Sequence, residues 1–253
     1  MITTRDVPMD FTYQEYGTLI ELLRASGFTL EKFHEAPVDE RKAYLRHDID
    51  MSLDDAFRLA NFEEQLGVVS TYYVLLDTGF YNVMAAGSSA RLRSMAYMGH
   101  DIGLHYVQRS HLDEDPDYDS ALLADICRQC TLLSEMLDLE IATFSFHRPT
   151  PQLLQKKLIV PGLSNAYASP YFEQGAYISD SNHHWRCGDP FAFISEFSGS
   201  SLQVLTHPFW WNPDPVDPRR KLQDFVDRLA DSHRATLIHD VGLAASVFEK
   251  ASP

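Results

Sequence analysis

Segments with strand and helix patterns alternate along all 253 residues, and this alternation limits the chain to a small set of folds. Apolar residues at helical spacing predict helices over 12–26, 52–66, 90–98, 120–137 and from 219 onward. Runs rich in β-branched and aromatic residues predict strands over 43–50, 68–76, 101–107, 141–146, 175–179, 191–195 and 202–206. The alternation predicts βαβ crossovers and a mostly parallel sheet, either a closed (β/α) barrel or an open doubly wound sheet. No linker or repeat interrupts the pattern, so we expect a single domain over 1–253.

The excess of acidic over basic residues in the chain argues against anionic partners. Acidic residues outnumber basic ones by 36 to 21, for a net charge of −15, so we expect neither nucleic acid nor an anionic membrane face as a main partner. No apolar run has the roughly 18–20 residues of a membrane span, and no basic segment followed by an apolar run opens the chain. Its 3 cysteines are too few for a disulfide framework. We therefore expect a soluble protein of a reducing cytoplasm, without membrane insertion.

Polar residues stand where the predicted strands end, which is where parallel α/β folds carry their chemistry. The strand over 43–50 ends in His47-Asp48-Ile49-Asp50. Successive side chains of a strand alternate between its faces, so Asp48 and Asp50 share one face and His47 and Ile49 the other. Two adjacent carboxylates repel each other unless a cation lies nearby. Capping of the following helix explains one of these aspartates more easily than both.

Histidines stand at two further strand ends. His105 ends the strand in GHDIGLHYV, and His111 follows six residues later in a loop. Two imidazoles and a carboxylate are a common ligand set for zinc-like metals, and a fourth position left to water would make such a site catalytic. His207 follows the strand LQVLT, and imidazole suits proton donation to a leaving group.

An arginine and a group of aromatic residues complete the pattern. Arg148 follows the strand over 141–146, where a guanidinium can hold a carboxylate in a bidentate pair. Phe209-Trp210-Trp211 follows His207 and could form a wall against a sugar ring, although core packing explains at least one of these tryptophans equally well.

Taken in chain order, Asp-x-Asp, GHDIGLH, Arg-Pro and Leu-x-His resemble the motifs of the NodB-homology polysaccharide deacetylases, carbohydrate esterase family four. The resemblance spans roughly 43–208 and is that of a divergent branch. It implies a deformed (β/α) barrel with about seven parallel strands. It also implies a metal-dependent hydrolase that removes an acetyl or formyl group from an amino-sugar nitrogen. Because we expect no export signal, we expect the substrate to be an amino-sugar intermediate of surface-polysaccharide biosynthesis instead of a whole polymer. That sugar would be nucleotide-linked, lipid-linked or a glycan end, and the cofactor would be one divalent metal ion, with zinc as first candidate.

The resemblance also implies catalytic roles. Asp48 matches the general base, Arg148 the arginine that orients it, and His207 the general acid. Together with the aromatic wall, the resemblance gives these expected substrate-binding residues: Thr150, whose neighbouring backbone N–H is a candidate oxyanion donor, Trp185, Leu205 and Trp210.

The implied metal ligands include one departure from the family pattern. Asp50 and His105 match the aspartate and the first histidine, but the position four residues after His105 holds Arg109, so we expect His111 to be the second histidine. The altered spacing leaves open a catalytically silent member that binds a sugar or an assembly partner. A second alternative is an unrelated barrel metallohydrolase, which would hold two metal ions.

Overall fold

The computed structural model describes residues 9–33, 41–108, 117–156, 158–169, 171–172 and 176–248. Within these residues the first compact unit, which ends at Asp214, contains eight strands that all pair in parallel. The strands are β1 (Thr29–Glu31), β2 (Lys42–Ile49), β3 (Thr71–Val74), β4 (Asp101–Tyr106), β5 (Thr143–Phe146), β6 (Ser164–Asn165), β7 (Tyr177–Ser179) and β8 (Ser201–Thr206). Seven of them follow the order β6-β5-β4-β3-β2-β8-β7, and β1 pairs beside the start of β2. This curled sheet confirms the expected deformed (β/α) barrel.

Helices connect the strands of the described part of the first unit. They are α1 (Tyr13–Ala25), α2 (Leu53–Gln65), α3 (Ala86–Tyr97), α4 (Tyr118–Leu137), α5 (Pro151–Gln155) and α6 (Pro190–Glu196). Thr12 and Ser52 cap α1 and α2 by accepting hydrogen bonds from backbone N–H groups of the first turn. The helices expected from sequence periodicity are therefore present, with ends shifted by at most four residues.

The strand predicted over 191–195 is wrong, because these residues belong to α6. The Asp189 side chain accepts a hydrogen bond from the backbone N–H of Phe191, and Pro190 occupies the first turn, where a missing N–H costs nothing. Five mainly apolar residues are compatible with both the helical and the strand period, so the N-cap at Asp189 decides in favour of a helix.

The second compact unit covers 215–253, and its described residues form α7 (Pro218–Asp240) and α8 (Gly242–Phe248). The single domain expected over 1–253 stays a prediction. No described helix combines the length and the apolar composition needed to cross a bilayer.

Both faces of β2 are buried, which lets this central strand carry polar side chains inward. Ala43 and Leu45 belong to the apolar layer shared with α1. Tyr44 lies in an aromatic cluster with Phe33, Tyr73, Ala166 and Tyr171. The two clusters divide the strand by the alternation that also separates His47 from Asp48.

A buried polar cluster joins α2 to the sheet. The carboxylate of Glu63 is fully buried and accepts hydrogen bonds from Ser70 Oγ at 2.6 Å, from the Tyr72 hydroxyl at 2.7 Å and from the Tyr16 hydroxyl. His47 Nε2 lies 3.0 Å from Glu63 Oε1. His47 therefore takes part in packing behind the sheet, while its neighbour Asp48 faces the other side.

This cluster makes stability depend on pH. Burial opposes ionisation of Glu63, but His47 and the hydrogen bonds outweigh it and lower its pKa from 4.5 to about 2. A folded-state pKa below the unfolded value stabilises the fold above about pH 4.5, and this stabilisation is lost as the pH falls towards 2. We expect Glu63→Gln to lower the free energy of unfolding by about 3 kcal/mol at pH 7, measured by urea unfolding.

The difference between Glu63→Gln and wild type should shrink steadily between pH 4.5 and pH 2.5, where the native carboxyl also gains a proton. Glu64→Gln is the control, because Glu64 is exposed and we expect it to change stability by less than about 0.5 kcal/mol. An equal difference at both ends of the pH range would contradict the assigned role of Glu63.

Candidate active site

A cavity of about 800 Å³ opens at the carboxyl ends of the strands of the first unit. The residues that line it lie at or beyond the ends of β2 to β8, the place that parallel barrels use for catalysis. The sequence-predicted site residues that the cavity brings together are Asp48, Asp50, His105, Arg148, Leu205, His207 and Trp210.

Three side chains at one end of this cavity fit a metal ion. Asp50 Oδ1 lies 3.3 Å from His105 Nε2 and 3.4 Å from His147 Nδ1, and the two nitrogens are 3.2 Å apart. Tetrahedral coordination with bonds of about 2.0–2.1 Å separates neighbouring ligand atoms by about 3.3–3.4 Å. Asp50 Oδ1 is also buried without a hydrogen bond, which is costly unless a cation compensates for it. The donor types, spacing and orphaned oxygen therefore fit one divalent metal ion.

The contacts of His105 suit a metal ligand. Its Nδ1 lies 2.7 Å from Ser145 Oγ, because β4 and β5 pair these two residues directly. A proton on Nδ1 that is donated to Ser145 leaves Nε2 with a lone pair towards Asp50. Without a bound ion the imidazoles would instead donate to Asp50: burial opposes its ionised form, yet hydrogen bonds from His105 and His147 hold its pKa well below the usual range.

His147 was missed by the sequence reasoning, although it directly follows β5 and so meets the same strand-end criterion as His105. The expected ligand His111 lies outside the described residues, as does Arg109. His111 therefore stays a prediction, while His147 supplies a second imidazole from the described part of the chain.

Asp48 is held by an arginine of its own strand. Arg46 is fully buried, and its Nε and Nη2 donate to the two oxygens of Asp48, each at 2.9 Å. Nη1 donates to Gln203 Oε1 at 3.2 Å, and the guanidinium lies 4.5 Å from the centre of the Tyr167 ring. Burial alone would raise the pKa of Asp48, but Arg46 lowers it below its usual value. Asp48 is therefore ionised and fixed in orientation.

Arg148, expected to orient Asp48, occupies a different place. It is exposed at the rim of the cavity, and its backbone has a φ of 51°, which is uncommon for a residue other than glycine. The side chain that pairs with Asp48 is Arg46, two residues earlier on β2. Residues two apart on a strand share a face, so alternation alone places Arg46 beside Asp48 inside the barrel.

His207 is fixed by Asp180, which follows β7. His207 Nδ1 lies 2.6 Å from Asp180 Oδ1, and the His207 backbone N–H donates to the same carboxylate at 2.9 Å. Trp211 Nε1 donates to Asp180 Oδ2 at 2.9 Å. Burial lowers the pKa of His207, but Asp180 more than offsets this effect and raises the pKa to about 9. His207 is therefore protonated at neutral pH, with Nε2 3.9 Å from Asp50 Oδ2.

The predicted substrate-binding residues divide into two groups. Leu205 and Trp210 line the cavity. Thr150 does not line it, because its side chain accepts a hydrogen bond from the backbone N–H of Leu153 and caps α5. Trp185 does not line it either, since it is 4% exposed and packs in the apolar core near Trp211.

Comparison with known proteins found similarity among solved structures. No protein-family model matches the chain, and no curated protein matches it. Among solved structures, the chain is similar to the Streptococcus pyogenes deacetylase PplD in complex with acetate, at 13% identity over 56% of this chain and 66% of that one, with a TM-score of 0.41. It is also similar to a family 4 carbohydrate esterase from Streptomyces lividans in complex with acetate, at 15% identity over 75% of this chain and 88% of that one, with a TM-score of 0.42.

A third solved structure, a CE4 family pseudoenzyme from Bacillus anthracis, is similar at 8% identity over 77% of this chain and 62% of that one, with a TM-score of 0.39. The chain thus spans less than two thirds of the length of PplD and of the pseudoenzyme. Solved structures to which this chain is similar therefore include a deacetylase, a family 4 carbohydrate esterase and a CE4 family pseudoenzyme.

Proposed function

We propose that this chain is a metal-dependent hydrolase that removes an N-acyl group, acetyl or formyl, from an amino-sugar intermediate of surface-polysaccharide biosynthesis. The proposal depends on one observation, which is that the cavity joins the Asp50–His105–His147 donor set to Asp48 and His207. The sparse cysteines favour action in a reducing cytoplasm. A nucleotide-linked sugar, a lipid-linked sugar and a glycan end are all compatible with this chemistry.

Asp50, His105 and His147 would hold one divalent metal ion, with zinc as first candidate because imidazole and carboxylate are among its usual ligands. When bound, such an ion lowers the pKa of water from about 15.7 to about 7 and polarises a carbonyl oxygen. Further metal ligands from undescribed residues, His111 included, are compatible with this set.

Two side chains would move the protons of amide hydrolysis. Asp48, kept ionised by Arg46, accepts a proton from water as the water oxygen attacks the amide carbon. His207 donates the Nε2 proton to the sugar nitrogen as the C–N bond breaks, and the products are a free amine and a carboxylic acid. Asp180 binds the opposite nitrogen of His207 and keeps Nε2 directed into the cavity. Leu205 would contact the acyl group.

Asp48→Asn tests this proposal. We expect kcat to fall by about 10³-fold with metal content unchanged, because an amide cannot act as the general base. The assay measures acetate and formate released from N-acetyl and N-formyl amino sugars by the metal-loaded chain. Asp77→Asn is the control, since Asp77 lines the same cavity but is exposed, and its kcat should stay within about twofold of wild type.

The metal-to-chain ratio separates the alternatives. One metal ion per chain together with acyl release supports the proposal. Two ions per chain would favour the unrelated dinuclear hydrolase, for which the described residues offer only one donor cluster. A chain that holds metal and binds sugar but releases no acid would be the catalytically silent binding protein.

A further inference from the structure

We propose, building on the function above, that the amino sugar carries a phosphate group and that Arg148 and Arg186 bind it. Both arginines line the catalytic cavity, and both are exposed. Neither side chain has a hydrogen bond or ion pair with any described residue. Two guanidinium groups in one cavity are thus available to a ligand.

The other charges in the cavity indicate what kind of ligand the two arginines would bind. Besides His207, which is protonated at neutral pH and paired with Asp180, its other charged lining residues are acidic, Asp48, Asp50 and Asp77, and no lysine lines it among the described residues. The chain as a whole carries a net charge of −15. Asp48 is paired with Arg46, Asp50 belongs to the metal donor set and His207 is paired with Asp180. Arg148 and Arg186 are therefore the positively charged lining residues without a described partner and would attract an anionic ligand.

An aromatic row lies between the strands that the two arginines follow. Ring centres are 6.2 Å apart for Phe146 and Tyr167, 5.3 Å for Tyr167 and Phe172, and 5.3 Å for Phe172 and Tyr177. All four rings line the cavity. Aromatic faces suit the apolar face of a sugar ring, so the row gives the sugar a surface beside the acidic catalytic groups.

Each arginine is attached at one end of this row. Arg148 lies two residues after Phe146, at the end of β5. The Arg186 backbone N–H donates to the carbonyl of Ser179, the last residue of β7, which begins with Tyr177. The backbones of the two arginines thus adjoin the strands that carry the first and the last ring of the row, and both side chains line the same cavity.

Phosphate fits this pair better than carboxylate does. One guanidinium can engage both oxygens of a carboxylate in a bidentate pair. A phosphate ester or diphosphate offers more oxygens and more charge, so a second arginine still finds an acceptor. Among the substrate forms considered above, nucleotide-linked and lipid-linked sugars carry phosphate, whereas a neutral glycan end does not.

Calorimetric titration of the metal-loaded Asp48→Asn variant tests this proposal without turnover. The probes are N-acetylglucosamine, its 1-phosphate, UDP-N-acetylglucosamine, farnesyl-diphospho-N-acetylglucosamine and, as a carboxylate control, glucuronic acid. We expect each phosphorylated sugar to bind about tenfold or more tightly than the neutral sugar. Arg148→Gln and Arg186→Gln should each reduce this preference, and the double variant should abolish it.

Arg219→Gln is the matched control, because Arg219 is also exposed but does not line the cavity. We expect it to keep the full preference for phosphate. The double variant should also keep its metal content, which would exclude phosphate binding through the metal as the source of the preference. The tighter of the two diphosphate sugars would identify the nucleotide or the lipid as the carrier.

Equal binding of neutral and phosphorylated sugars by the chain with both arginines intact, including no binding of either, overturns the proposal. So does an unchanged phosphate preference in the double variant, or an equal arginine-dependent gain for glucuronic acid. Arginine-dependent binding of phosphorylated sugars that are not deacylated by the wild-type chain would leave this proposal standing and overturn the hydrolase function. Deacylation of neutral sugars without any preference for phosphorylated sugars would overturn this proposal and leave the hydrolase function standing.

Discussion

His147→Ala is expected to remove the metal ion, weakening zinc binding by more than about 100-fold and abolishing acyl release. His147 Nδ1 lies within 3.4 Å of the other two donor atoms, so its loss leaves Asp50 and His105 alone among the described ligands. Changes to groups that merely orient a ligand cost about 10–100-fold in metal affinity, and loss of the ligand itself should cost more. Metal content of chelator-free protein, measured by mass spectrometry, and zinc titration check this result.

His111→Ala is the informative comparison. The sequence predicts His111 as the second imidazole, whereas the described residues complete the donor set with His147. We expect His111→Ala to retain one metal ion per chain and His147→Ala to retain none. Metal retained in His147→Ala but lost in His111→Ala would contradict the site assigned here. Loss in both variants would support His147 and add His111 as a fourth ligand.

The fold was predictable wherever an element was long enough to show its period. The helix over 118–137 and the strands over 42–49 and 101–106 lie within a few residues of their predicted positions. The run over 191–195 failed because five residues do not separate a helical from a strand period. Asp189-Pro190, a cap followed by a residue suited to the first turn, was the signal that favoured a helix there.

The candidate site was predictable where the alternation of side chains along one strand was enough to place its residues. It predicted that Asp48 and Asp50 share a face, and both carboxylates lie within 3.4 Å of His105 Nε2. His147 lies beside His105 only because β4 and β5 are neighbours in the sheet. The order of strands in a sheet cannot be predicted from the sequence of a single segment. The family resemblance also predicts the second histidine in the loop after His105, at His111, and not at the end of β5.

Arg46 was missed for a different physical reason. A charged residue in the middle of a buried strand is costly on its own, so it seldom suggests a catalytic centre. Its cost is offset by the bidentate pair with Asp48, by Gln203 and by the Tyr167 ring. Two of these partners come from strands or loops distant in sequence. The role of Arg46 therefore follows from its contacts inside the barrel and cannot be predicted from the local sequence pattern.

Arg46→Met is expected to lower the free energy of unfolding by about 3–5 kcal/mol, because it leaves the Asp48 carboxylate buried without its partner. Arg148→Met should change it by less than about 0.5 kcal/mol, because Arg148 is exposed and unpaired among the described residues. Urea unfolding of metal-free protein measures both values. A larger loss in Arg148→Met than in Arg46→Met would contradict the assigned pair.

The double variant Arg46→Met/Asp48→Leu separates the pair from the general packing of Arg46. Replacing both members of a buried ion pair by apolar residues is often neutral or stabilising, so we expect this variant to recover most of the stability lost in Arg46→Met. It should stay inactive, because no carboxylate remains to accept the proton from water. Failure to recover stability would indicate that Arg46 stabilises the barrel through Gln203 and Tyr167 instead.

Arg46→Lys distinguishes orientation of the base from stability. An ammonium keeps the charge beside Asp48 but cannot donate to both carboxylate oxygens in the fork geometry of a guanidinium. We therefore expect a smaller loss of stability than in Arg46→Met, an unchanged metal content, and a fall in kcat of more than about tenfold with KM close to wild type. A purely structural role would leave kcat at the wild-type value in every Arg46→Lys molecule that folds. The separation of kcat from KM thus shows whether the bidentate pair aims Asp48 at the attacking water.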